Sequence, residues 1–120
     1  MILPFRRLQA LFVLALTFLV PGVVAKPIKV GFAQTGAESA WRTANTQSMK
    51  SEAEKRGIEL KFADGQGKQE NQIRAIRSFI AQRVDAIVLA PIVETGWDPV
   101  LREAKRAGIP VVLTDRTIQT

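Results

Sequence analysis

The stretch from Asp85 to Arg116 restricts the possible folds of this chain more than any other. It reads as a short apolar run, a loop, an amphipathic segment, a second apolar run and an abrupt charged pair. Asp85-Ala86-Ile87-Val88-Leu89-Ala90 is continuously apolar after one acid and is closed by Pro91. That is the pattern of a strand buried on both faces in a parallel sheet. Asp98-Pro99 predicts a helix start, with an N-cap acid and proline at the first helical position. Val100, Leu101, Ala104 and Ala107 fall on one face of that helix, and Gly108 ends it. Ile109 to Leu113 predicts the next buried strand, with Asp115-Arg116 just past its carboxyl end. Ligands of open parallel sheets bind at that end, so a fixed acid and base there read as hydrogen-bonding partners of a polar ligand. The pair also fits a surface ion pair, but its place at a strand end, before any new helix, favours binding.

The first residues read as an export signal. Arg6 and Arg7 form a positive start, Leu8 to Val20 is apolar apart from Gln9 and Thr17, and Pro21-Gly22 breaks the run. Val23-Val24-Ala25 then presents small residues at a cleavage site, which predicts a secretory signal peptide over 1–25 cut before Lys26. The apolar run is shorter than the roughly 20 residues a spanning helix needs. Loss of Arg6 and Arg7 lowers the formal net charge from +6 to +4. So modest an excess, spread along the chain, does not make a nucleic-acid-binding face, and no nucleic-acid partner is expected. The chain has neither cysteine nor histidine. A disulfide framework, imidazole-based triads and the usual zinc sites are therefore excluded, and neither an enzyme nor a metal or cofactor site is expected.

Residues 26–120 leave room for one small domain at most. Ile28 to Ala33 predicts the first strand, and a helix follows from about Ser39 to Arg56, with an acidic entry at Glu38-Ser39, a basic last turn and a stop at Gly57. Ile58 to Ala63 alternates apolar with charged residues, the mark of an edge strand with one solvated face. Asp64-Gly65-Gln66-Gly67 predicts a turn. From about Lys68 to Arg83 an amphipathic helix carries Ile73, Ile76, Phe79 and Ile80 on one face, with Glu70, Arg74 and Arg77 mostly opposite. The order β-α-β-α-β-α-β with right-handed crossovers gives an α/β doubly wound parallel sheet of order 2-1-3-4. Its topological switch lies between the first and third strands, and the loops 34–42, 91–97 and 115–116 meet above it.

Glu38-Ser39-Ala40-Trp41-Arg42 opens the first helix at that switch. Free helix N–H groups, an aromatic face for a sugar ring and a guanidinium for hydroxyls would suit a binding role. The segment fits a capping box with a core tryptophan equally well. Trp97, beside the start of the third helix, favours packing. Asp64 ends the second strand, where a nucleotide-binding fold places its ribose acid. The phosphate fingerprint is missing, however, because the glycines after the first strand are only Gly31 and Gly36, and Gly65-Gln66-Gly67-Lys68 is no Walker loop. Asp64 reads as a turn residue. The third strand ends in Ala90-Pro91 rather than an aspartate, which excludes a phospho-acceptor receiver.

With these residues in place, the chain from Lys26 onward resembles the periplasmic sugar-binding proteins of the ribose-binding type, which serve ABC importers. The general signals are D-A-I-x-x-x-P at 85–91 and A-x-x-A-G-I-P-V at 104–111. E-S-x-W-R at 38–42, T-G-W-x-P-V-L at 95–101 and D-R at 115–116 resemble the galactofuranose-binding branch. The resemblance implies that Glu38, Ser39, Trp41, Arg42, Asp115 and Arg116 contact a monosaccharide. It implies a periplasmic location, an inner-membrane ABC permease as partner, and a monomer. A sensing module that presents its sugar to a chemoreceptor or membrane kinase is the alternative role. Ala40 departs from the glycine expected at that place. The resemblance covers the first four strands of an amino-terminal lobe. The remaining strands, the hinge and a second lobe would lie beyond it, so the expectation is an incomplete lobe, of a gene fragment or otherwise. Taken alone, residues 26–120 would present an apolar edge at the fourth strand, self-associate and hold sugar weakly.

Overall fold

The computed structural model describes residues 21–22 and 24–119. Most of the expected signal peptide lies outside them. Seven elements follow in strict alternation: β1 (Lys29–Gln34), α1 (Ala40–Lys55), β2 (Glu59–Asp64), α2 (Gln69–Ala81), β3 (Ala86–Leu89), α3 (Asp98–Arg106) and β4 (Val111–Leu113). The four strands form one parallel sheet in the order β2-β1-β3-β4, as the sequence predicts.

The register divides the side chains between two faces. Gly31 pairs with Ile87 and Ala33 with Leu89, so these four share the face covered by α2 and α3. The main core lies there, built from Ala33, Ile76, Phe79, Val84, Ile87, Leu89, Trp97, Val100 and Ile109. Gly31 is required at its place, since a Cβ would stand 2.4 Å from the Phe79 ring, closer than real contacts come. The opposite face carries Phe32 and Phe62, whose rings are 5.8 Å apart and tilted, with Lys50 of α1 at 4.4 Å over Phe62.

The start of α1 and the ends of all three described helices have local causes. Ser39 caps α1 by accepting from Arg42 N–H at 3.2 Å, and Gly57 and Gly108 take the left-handed backbone that ends α1 and α3. After α2 that position falls to Arg83 at φ 55°. Arg77 and Glu103 clip α2 to α3 through two hydrogen bonds of 3.0 Å.

Four details differ from the sequence reading. The N-cap of α3 is Trp97, one residue before the expected Asp98, because Trp97 C=O accepts the first helical bond from Leu101 N–H. Ala107 is exposed as the C-cap of that helix rather than part of its buried face. The first turn of α1 contains no acid, since Glu38 precedes the cap. Finally, β4 is short and half-buried, and Val112 is 55% exposed. Val112 pairs with Val88 on the α1 side of the sheet, where none of the described helices covers the β4 edge. An apolar run reports burial in general but not which neighbour supplies it.

Candidate functional site

The carboxyl ends of the strands open onto a crevice of about 400 Å³, whose walls include Thr35, Glu38, Arg42, Asp64, Gln66, Ile92 and Arg116. It forms because β1 is followed by α1 on one face, whereas the crossover from β2 to β3 runs on the other. The loops diverge at that point and leave a cleft.

Arg42 is the buried charged residue among its walls. The Ser39 cap fixes the first turn of α1 and directs Arg42 inward, where its side chain is only 9% exposed. Its Nε lies 2.5 Å from Glu38 Oε1 and its Nη1 3.3 Å from Asp115 Oδ2. The second contact is an ion pair by distance only, because Nη1 is buried and makes no hydrogen bond among the described residues. A donor with unspent capacity, held between two carboxylates, is suited to a ligand hydroxyl.

A strained turn brings Arg116 to the crevice and Asp115 to Arg42. Arg116 N–H donates to Thr114 C=O at 2.8 Å, and the intervening Asp115 has φ 69°. A three-residue turn of this hand is rare and costs on the order of 1 kcal/mol or more. Such strain persists where surrounding structure holds it. Here Arg116 Nη1 donates to Ile92 C=O at 3.0 Å, and Gln119 N–H donates to Glu94 C=O at 2.8 Å.

Of the six residues singled out from sequence, Glu38, Arg42 and Arg116 line the crevice, and Asp115 joins them through Arg42. Ser39 is exposed, and its hydroxyl is engaged as the helix cap. Trp41 is 54% exposed, so it is not the core tryptophan of the alternative reading. Trp97 is the packing residue, 1% exposed, with its indole N–H donating to Val93 C=O at 2.8 Å. Asp64 is the last residue of β2 rather than part of the turn; it accepts from Gln66 N–H of that turn at 2.8 Å and also lines the crevice.

Sequence reasoning missed a buried polar layer beneath this surface. Gln34 donates to Asn45 and Thr46 of α1 at 3.0 and 3.1 Å and accepts from Thr35 N–H. Thr35 Oγ1 donates to Ala90 C=O at 2.7 Å. Gln72 of α2 is fully buried and also donates to Ala90 C=O, at 2.7 Å. The available signal was Gln72 itself, an uncharged polar residue one turn before Ile76 on the apolar stripe.

The crevice thus offers carboxylates as acceptors and guanidinium groups as donors around a small open volume. That set matches a neutral polyol, whose every hydroxyl both donates and accepts. Among the described residues no group of histidine, cysteine, aspartate and glutamate is placed to hold a metal ion, and no helix is long and apolar enough to cross a membrane.

Comparison with known proteins agrees with this architecture. Residues 30–120 match the family model described as periplasmic binding protein domain. The chain belongs to that family. It is 67% identical over 95 residues to the galactofuranose-binding protein YtfQ of Escherichia coli (strain K12), covering 79% of this chain and 30% of that protein. A solved relative is the periplasmic binding protein of the arabinose ABC transporter from Shewanella sp. ANA-3, bound to α- and β-L-arabinofuranose. It is 66% identical with a TM-score of 0.76, over 77% of this chain and 30% of that one. A Mycobacterium smegmatis protein in complex with β-D-fucofuranose is 64% identical with a TM-score of 0.76, over 78% of this chain and 31% of that one. The chain therefore spans about a third of the length of these relatives.

Proposed function

We propose that this chain supplies the amino-terminal half-site of a sugar-binding protein that delivers a monosaccharide in furanose form, galactofuranose among the candidates, to an ABC permease. The observation that carries the reading is Arg42, buried between Glu38 and Asp115 with an uncommitted donor at the topological switch. Three relatives described with galactofuranose, arabinofuranose and fucofuranose support the furanose assignment. Glu38 and Asp115 accept from sugar hydroxyls, Arg42 and Arg116 donate to them, and Trp41 offers an apolar ring face. Ser39 sets the helix start beside the sugar. No bond is made or broken. Closure over the sugar commits it for delivery to the permease. In this reading residues 1–25 are an export signal removed after Ala25, residues 26–120 belong to the binding lobe, and the working protein is a periplasmic monomer.

Calorimetric titration tests the proposal with methyl galactofuranoside, methyl galactopyranoside and free arabinose. The protein is taken as encoded, and also as a chimera in which residues 26–120 replace the matched segment of the Escherichia coli relative. Binding of the furanoside and not of the locked pyranoside is expected. Pyranoside binding alone overturns the furanose assignment, and no heat with any sugar overturns the function. Amino-terminal sequencing of exported protein should begin at Lys26.

A further inference from the structure

We infer that Gln72, which does not itself line the crevice, is a positioning residue that sets Arg116 through the backbone of Ile92. The inference rests on the sugar-binding reading above and adds to it the element that aims one of its donors.

Gln72 lies in the first turns of α2 and is fully buried. Its amide nitrogen donates to Ala90 C=O at 2.7 Å and lies 3.5 Å from Ala33 C=O, so it bridges the carboxyl ends of β3 and β1. Its Oε1 accepts from Ile92 N–H at 3.0 Å. Ile92 C=O in turn accepts from Arg116 Nη1 at 3.0 Å. The path from Gln72 to Arg116 is therefore two hydrogen bonds through a single crevice residue.

The chemistry of that path requires a side chain with a donor and an acceptor on one planar group. Leucine or methionine would fill the space and leave Ile92 N–H without a partner. A carboxylate would set an oxygen against the Ala90 carbonyl. Packing fixes the amide in place, because a Cβ on Gly65 would stand 2.9 Å from Gln72 Cγ and 2.6 Å from Gln34 C=O. The turn between β2 and α2 thus closes directly onto the Gln72 side chain. Burying an amide on the helix face that also buries Ile76 and Phe79 is unfavourable unless its polar atoms are satisfied. They are satisfied by the backbone positions where β3 leaves the sheet and the crevice wall begins.

A double-mutant cycle separates positioning from simple structural support. In the full chain, and in the chimera described above, methyl galactofuranoside affinity is measured for the wild type, Q72M, R116A and the double variant. Q72M is expected to weaken binding about tenfold when Arg116 is present and less than about twofold when it is absent, since coupling means non-additivity. Equal loss in both backgrounds overturns the inference, as does no loss in either. If Q72M does not fold, Q72L, which also leaves Ile92 N–H without its acceptor, takes its place in the same cycle. Should the wild type bind no furanose, the function reading fails by itself. Gln72 is then judged by the guanidinium NMR signal of Arg116, which moves in the Gln72 variant if the path exists and stays in place if it does not.

Discussion

Replacing Arg42 with methionine should separate what this residue does for the fold from what it does for the sugar. The substitution keeps side-chain length at a position only 9% exposed and removes the charge. Without sugar the loss is small. Glu38 is 55% exposed, so its ion pair contributes under about 1 kcal/mol. Asp115 is more enclosed at 23%, yet Nη1 makes no hydrogen bond to it across 3.3 Å. Removing the guanidinium also relieves its own desolvation. The net stability change is therefore roughly 1 kcal/mol or less, a Tm shift of at most about 4–8 °C for a domain of this size. Affinity responds differently. A charge-assisted hydrogen bond to a ligand contributes about 1.5–3 kcal/mol, and its loss also leaves Glu38 and Asp115 facing the sugar with no cation between them. The dissociation constant should rise about 30- to 150-fold, equivalent to roughly 2–3 kcal/mol. Calorimetric titration and a thermal melt on the same preparation give both numbers. An affinity within threefold of wild type would refute the assignment of Arg42 to the sugar. So would a melt lowered by tens of degrees with normal affinity in the folded fraction, which would make Arg42 a structural residue.

Trp97→Phe removes one buried hydrogen bond and some core volume, so thermal melts should show a loss of about 1–3 kcal/mol while sugar affinity stays unchanged; a larger effect on affinity than on stability would place Trp97 in the site. The Arg77 hydrogen bond, followed by the fields of Arg77 and Arg106, holds the Glu103 carboxyl below its usual range despite the opposing desolvation. The stability it contributes is thus present above the ordinary carboxylate range and is lost as pH falls through the lowered folded value. In melts from pH 7 to pH 3, Glu103→Gln should flatten the acid limb of the stability profile, and an unchanged limb would show that this clip is idle. Val112→Lys at the β4 edge should reduce self-association of a polypeptide comprising residues 26–120, read by sedimentation velocity, because charge on an edge strand opposes further pairing. Identical sedimentation of the two forms would show that the edge is not the adhesive surface.

The sequence alone determined the alternation of strands and helices, the sheet order and the loops that meet at the switch. Those features follow from local terms: apolar runs bounded by Pro91, periodic faces such as Ile73–Ile76–Ile80, and glycine stops at Gly57 and Gly108. The clustering of Glu38, Arg42, Asp115 and Arg116 was legible too, because fold topology sends strand ends to one place. Whether Trp41 or Trp97 was the core residue could be weighed but not decided, since a tryptophan beside a helix start has the same local pattern inside or out. Only the tertiary structure settled that, by burying Trp97 in the core with α3 and leaving Trp41 half-exposed. It alone exposed Val112, whose burial depends on a neighbouring layer rather than on its own strand. It alone revealed the left-handed turn at Asp115 and the path from Gln72 through Ile92 to Arg116. Hydrogen bonds between residues twenty or more positions apart leave no periodicity in a chain. They are made by the packing of α2 and the loops against the sheet, and that packing exists only once the whole fold has formed.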